Sequence, residues 1–422
     1  MMTEQNLKKN VLWNAAGNII YLACQWVITV LVTVFGGFED AGLLSIAMSM
    51  SATFQTVAMF GIRNYQVSDL EGKYSDSCYM GFRMLCCVAA MVLCVGFSLI
   101  SRYFGAQLLA ICLFMLFRLA ESYSDALHGI AQKNGRLDIA GKSFAMKGVG
   151  LLACFLVGYL TSNSLNVGLL CMMLLSLLVT VVYDLPTVKK VARFRLMEPV
   201  KDCVGLGLET WPLCVYLFLF SALMTVPKLI LEKQCGEILL GAYSSIFAPA
   251  MLLHAATGYL YNPFATQFTE HLQAGNKRSF TMLLVKLCIA IFVLVAFVFV
   301  VAQFLGEFAL VLVFGEQIRA YVDLLNPILI VNFGISFLGM FCMITVVLRK
   351  FWRLLSACGA ALLVCVLLTS SLLQRFGANG ASYSLIAACL LGLVILAIGV
   401  AIDIGRIQTK ASVENEHQGE KA

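Results

Sequence analysis

Apolar residues run along this chain in stretches of about 20, the length an α-helix needs to cross the hydrocarbon core of a bilayer. Twelve such stretches lie near 12–35, 41–62, 80–101, 105–130, 142–161, 165–184, 204–226, 237–262, 280–303, 321–347, 353–373 and 379–404. The pattern predicts an all-α polytopic membrane protein of about 12 transmembrane helices. Composition agrees, with 61% apolar and 12% charged residues among 422. A soluble globular chain of this size does not need so much apolar surface.

Charges between the stretches alternate by side, which the positive-inside rule converts to an orientation. One set holds Lys8 and Lys9, Arg63 and Lys73, Lys133 and Arg136, the Lys189, Lys190, Arg193, Arg195 cluster, Lys277 and Arg278, Arg349 and Lys350, and Arg406 and Lys410. The opposite set is sparse: Arg102, Lys228, Lys233, Arg319 and Arg375. Both termini are therefore expected in the cytoplasm, with the protein in the cytoplasmic membrane. The net charge of +6 is accounted for by these anchors, and no basic soluble face for nucleic acid is expected. The first stretch is of spanning length and carries Asn14, Asn18, Tyr21 and Gln25 on one face. It reads as a working helix rather than a cleaved signal.

The basic loop around Pro186 and Pro199 separates six stretches from six. The expected organisation is an N-terminal lobe over 1–190, a linker over 191–203, a C-terminal lobe over 204–405 and a disordered cytoplasmic tail over 406–422. A weak repeat supports the cut: Gly37, Gly42 and Ser45 recur as Gly236, Gly241 and Ser244, shifted by 199 residues. Six spans per half make the repeats parallel, related by a pseudo-two-fold axis along the membrane normal, with a substrate site expected between them. The external stretch Gly306 to Ala320 is expected to lie flat on the interface.

Candidate chemistry concentrates in the fourth stretch. Arg118, Glu121, Asp125, His128 and Gln132 follow at three- and four-residue spacing, within an arc of roughly 80° on a helix. A charge at bilayer depth costs at least about 2.5–3.5 kcal/mol, so this stripe must face protein or water and not lipid. Arg118 is a candidate anion site, since guanidinium presents a planar two-pronged donor set to phosphate. An internal ion pair with Glu121 that braces two helices is the other reading, and the two are compatible. Asn14, Asn18 and Gln25 on the first stretch, with Gln55 and Asn332, are further substrate-binding candidates. Glu121, Asp125, His128 and Glu209, the latter just before Trp211 and Pro212, are candidates for a coupling ion or proton. His254 and Asn326 are additional interior polar positions, and Pro212, Pro227, Pro249 and Pro327 could permit bends in the second half.

Enzyme motifs are poor. Gly141, Lys142 and Ser143 resemble the end of a phosphate-binding loop, but Arg136 stands where its first glycine is required. The histidines, His128, His254, His271 and His417, have no partner at metal or catalytic spacing, and the 16 cysteines are mostly scattered singly inside apolar stretches. No metal, no cofactor, no structural disulfide and no catalytic residue are expected.

These features resemble a known family. The Gly-Phe-Glu-Asp-Ala-Gly-Leu-Leu-Ser run at Gly37 to Ser45, the Gly61 to Gln66 run followed by Asp69, and the Gly236 to Ser244 run are similar to the polysaccharide transporter family of the multidrug/oligosaccharidyl-lipid/polysaccharide exporter (MOP) superfamily. The resemblance covers residues 7 to 405. It implies flipping of a polyprenyl-pyrophosphate-linked oligosaccharide to the outer leaflet by alternating access, with basic cavity residues for which Arg118 is the fitting position. It also implies membrane lipids, and possible contacts with glycan polymerisation machinery, as partners. A cation-coupled multidrug exporter of the same superfamily remains the alternative. Its members often carry an acid in the first span, where this chain has Asn14, Asn18 and Gln25. A membrane glycan polymerase or ligase fits less well, because the external loops are short and poor in paired acids or histidines.

Overall fold

The computed structural model describes residues 4–69, 72–196 and 200–406. The expected tail after 406, with His417, lies outside the described residues, as does part of the linker. Among the described residues, fourteen α-helices follow one another: α1 (Glu4–Met59), α2 (Ile62–Ser68), α3 (Asp76–Ile100), α4 (Gly105–Lys133), α5 (Leu137–Ser162), α6 (Leu165–Val179), α7 (Leu185–Lys189), α8 (Val200–Cys235), α9 (Glu237–Tyr261), α10 (Ala265–Gln273), α11 (Lys277–Phe314), α12 (Leu325–Val347), α13 (Phe351–Phe376) and α14 (Asn379–Gly405). A π-helical turn, Thr180–Asp184, joins α6 to α7. Eleven helical segments among the described residues are long and apolar enough to cross a membrane.

The difference from 12 lies in α1. Its apolar part, Leu12–Met59, has 48 residues. At 1.5 Å per residue that is roughly 70 Å, more than twice a bilayer core. Gly37 breaks it, with φ 69° and ψ −167°, a region open only to glycine. The segments on either side are the first two expected spans. Gly236, its partner in the sequence repeat, has φ 86° and ψ 170° at the start of α9. The repeat thus marks the same backbone bend twice. Gly306 to Phe314 continues α11 without interruption, and Glu316–Leu324 is 3-10 helix. The stretch expected to lie on the interface is thus the end of a long helix followed by a 3-10 helix, because nothing before Gly315 stops α11.

The chain divides into two compact units, Met1–Thr225 and Val226–Ala422. In the first, α1 packs most extensively on α5, and small residues make that possible. A Cβ on Gly141 would lie 2.2 Å from the Trp13 carbonyl oxygen, and one on Gly17 would lie 1.9 Å from the Gly141 carbonyl oxygen. Backbones in such contact gain dispersion energy that apolar side chains facing lipid tails cannot supply. Gly141 is therefore a packing glycine inside α5. The second unit is built around Phe268, Phe280, Ile291, Met340 and Val400, contributed by α10, α11, α12 and α14. Phe297, Phe304 and Leu312 of α11 are exposed, as side chains facing lipid are.

Candidate functional site

The polar stripe expected on α4 lies inside the first unit, and each of its ionisable members meets a partner from another helix or its own. Arg118 Nη1 donates to Glu121 Oε2 at 2.8 Å. The Tyr21 hydroxyl, from the first half of α1, donates to Glu121 Oε1. Gln55, from the second half of α1, donates to the Arg118 carbonyl at 3.4 Å and to Ser122 Oγ at 3.3 Å. The Arg118 guanidinium also lies 5.2 Å and 5.4 Å from the ring centres of Phe114 and Phe117. Aromatic faces favour the cation there where water is scarce. Arg118 Nε is buried without an acceptor, and so is Gln25 Nε2. Because α1 rises as α4 descends, Gln25, one turn beyond Tyr21, reaches the depth of Arg118, one turn before Glu121.

One turn further along α4, Asp125 receives two arginines. Arg63 of α2 pairs with its Oδ1, and Arg83 of α3 lies 3.3 Å from its Oδ2. Arg83 has no exposed side-chain surface and also donates to the Ala58 carbonyl at 2.8 Å. Arg63 further donates to Gln132 Oε1 at 3.1 Å, so the last stripe residue belongs to the same network. His128 lies 3.2 Å from Asp184 Oδ1, and Lys147 of α5 lies 3.0 Å from Asp184 Oδ2. Within the apolar spans three cations (Arg83, Arg118, Lys147) thus face three carboxylates (Glu121, Asp125, Asp184), and Arg63 reaches Asp125 from α2, outside the spans.

Other expected site residues fall elsewhere. Asn14 Oδ1 on α1 is buried without a donor, while Asn18 is engaged. Asn332 belongs to the second unit, where its amide donates to the Ile328 carbonyl of its own helix at 3.0 Å and its Oδ1 has no donor. It is not part of the α4 network. Asn326 accepts from Gln303 at 2.7 Å at an exposed position. The His254 carbonyl accepts from Thr257 Oγ1 of the same helix at 2.8 Å.

Glu209 also stands apart from the α4 network. It accepts from Tyr65 Oη, from Tyr74 Oη at 3.1 Å and from Lys73 Nζ at 2.5 Å, with its side chain 37% exposed. The three donors all come from α2 and the following loop, so Glu209 ties that loop to α8. Its carboxylate holds the Lys73 ammonium above the ordinary lysine range. The same loop is shaped by Asp69, which accepts from the Lys73 and Tyr74 amides at 2.8 Å and 3.1 Å and from Tyr79 Oη at 2.9 Å. Burial pushes the Asp69 carboxyl up, but these donors outweigh it and leave it below the usual range.

Sequence reasoning missed Lys147, Asp184, Arg83 and Lys228 as interior charges, and read Arg63 only as an anchor. The signal that singled out Arg118 was available for most of them, since Arg83 and Lys147 lie within apolar stretches and Asp184 ends one. Lys228, taken as an external loop charge, sits seven residues before the end of α8 at Cys235, its ammonium 4.6 Å from the Phe247 ring centre. Among the described residues no carboxylate is within ion-pair distance of it.

Eleven apolar helical segments with an interior, ion-paired polar network define a multi-pass membrane protein, and its fold is that of the MOP superfamily transporters. The structure is similar to a multidrug resistance MATE family transporter of that superfamily in its outward-facing conformation, with a TM-score of 0.63 at 13% identity, covering 97% of this chain and 100% of the other. A MOP superfamily transporter from Pyrococcus furiosus, described as having a binding pocket of reversed polarity that suggests a different function, aligns at TM-score 0.61 and 14% identity over 96% and 98% of the two chains. In sequence, the chain is 24% identical over 387 residues to the capsular polysaccharide biosynthesis protein CapF of Staphylococcus aureus, covering 90% of this chain and 94% of that one. No protein-family model matches. The resemblance to the polysaccharide transporter family carried by Gly37 to Ser45 and Gly61 to Gln66 thus stands beside a relative named for polysaccharide biosynthesis.

Proposed function

We propose that the protein is a flippase that moves a polyprenyl-pyrophosphate-linked oligosaccharide from the cytoplasmic to the outer leaflet by alternating access between its two halves, for cell-surface polysaccharide synthesis. It is a transporter and not an enzyme, set in the cytoplasmic membrane with both termini inside. The observation that carries the reading is the interior network of α4, where Arg118 is paired only with Glu121 of its own helix. Its Arg118 corner offers two donors, Arg118 Nε and Gln25 Nε2, without acceptors. Pyrophosphate oxygens are acceptors of the complementary charge, and a guanidinium binds them through paired N–H groups. Lys228 gives the second unit a cation of its own, balanced by an aromatic face and not by a carboxylate. The relative named for capsular polysaccharide biosynthesis supports the same substrate class.

The alternative, a cation-coupled multidrug exporter, draws on the multidrug transporters among the structural neighbours. An organic cation needs an uncompensated carboxylate. Glu121, Asp125 and Asp184 are each held by a cation of the protein itself, which favours the anionic substrate. Deleting the gene should make polyprenyl-pyrophosphate saccharides accumulate on the cytoplasmic side, measured by mass spectrometry of extracted lipids. Unchanged lipid-linked pools in the deletion strain would argue against the flippase.

A further inference from the structure

The first unit also holds an enclosed ion pair away from the Arg118 corner. Lys147 projects from α5 with 3% of its side chain exposed, against Asp184 with none. Its ammonium meets three oxygens: Ser124 Oγ at 2.5 Å, Asp184 Oδ2 at 3.0 Å and Thr180 Oγ1 at 3.2 Å. An ammonium has three donors and no acceptor, so the set is complete, one oxygen for each hydrogen. The oxygens come from α4 and from the π-helical turn, and Ser124 and Thr180 lie 2.7 Å apart. His128 of α4 closes the other side of the carboxylate at 3.2 Å, with Phe144 edge-on to its ring at 5.2 Å.

The backbone explains why these oxygens converge. Pro186 sits two residues past the π-helical turn and lacks an amide hydrogen, so the ordinary hydrogen-bond ladder cannot continue through it. The extra residue of the turn takes up the mismatch, as π-bulges do. It leaves Thr180 and Asp184 facing α4 and α5, while the Thr180 hydroxyl returns its own hydrogen to the Ser176 carbonyl at 2.7 Å. A carboxylate and two hydroxyl oxygens, closed off from solvent, form a donor set for a small monovalent cation.

We propose that this is a monovalent-cation site which the chain fills with its own lysine: Lys147 is a tethered ion that locks α4, α5 and the π-helical turn together. The framework of the first unit then does not depend on the salt on either side of the membrane. The cage will take a free small cation, of the ammonium or sodium class, when the side chain is removed. This inference is independent of the transported substrate.

The test uses full-length protein purified in detergent, with the fraction remaining monodisperse after heating as readout. Lys147→Ala should lose heat resistance and regain most of it in ammonium, methylammonium or sodium chloride, but not in choline chloride at matched ionic strength. The parent protein should not distinguish these salts. Lys147→Met fills the space without charge or donors, and should be unstable and unresponsive to all of them. If Lys147→Ala is recovered only in traces, its yield from membranes extracted in methylammonium chloride should exceed the yield in choline chloride. Equal behaviour of Lys147→Ala in small-cation and choline salts would overturn the proposal, and so would a Lys147→Met protein as heat-resistant as the parent.

Discussion

Asp125→Ala should destabilise the first unit by about 3–5 kcal/mol, the cost of leaving a buried charge without its partner. The reason lies in Arg83 more than in Arg63. Arg63 has 26% of its side chain exposed and can turn toward water, whereas Arg83 is fully enclosed and, among the described residues, Asp125 is its one carboxylate. The Ala58 carbonyl would remain as an acceptor for one nitrogen, which offsets part of the loss but cannot neutralise a guanidinium. Fluorescence-detected size exclusion after heating reads the effect. Adding Arg83→Met to the variant should recover much of it, because the stranded charge is then gone and the volume nearly kept. An Asp125→Ala protein as heat-resistant as the parent would show that the pair does not brace the unit.

Arg118→Ala should act in the opposite way, abolishing glycan export while leaving the amount of folded protein in the membrane near normal. The fold has less to lose here, because a stranded carboxylate can take up a proton and become neutral whereas a stranded guanidinium cannot lose its charge. Glu121 keeps its hydrogen bond from Tyr21, and the rings of Phe114 and Phe117 remain packed within α4. Function has more to lose, since Arg118 is the guanidinium of the network held by a single carboxylate from its own helix. The milder change Arg118→Lys should preserve export only partly, because an ammonium offers a point charge without the paired donors that match phosphate. Surface display of the polysaccharide and quantitative blotting of the membrane fraction separate the two effects. Export falling in step with folded protein would make Arg118 a brace and not a contact.

These two arginines show how far the sequence could be read. The helices were legible because each spans about 20 apolar residues, and the α4 stripe because its members share one helix and therefore one periodicity. The Gly37 and Gly236 bends were legible as a repeat. What stayed hidden was partnership across helices. Nothing local links Asp125 to Arg83, 42 residues away, or His128 to Asp184, 56 residues away. Those pairs exist because α3, α4, α5 and the π-helical turn pack side by side, and α1 closes on α5 through Gly17, Gly141 and Gly148. Glu209 shows the same limit: the sequence marked it as a lone acid in an apolar stretch, and its three donors from α2 and the following loop could not be read from that.

On this proposal the carried molecule is an anionic lipid-linked saccharide. Purified protein in lipid vesicles tests it most directly, with a fluorescent polyprenyl-pyrophosphate saccharide and an ethidium-like cation followed in parallel. Saturable translocation of the lipid-linked saccharide is expected, with its loss in Arg118→Ala and no movement of the organic cation. Saturable efflux of the cation, with the lipid-linked saccharide left in its original leaflet, would contradict it.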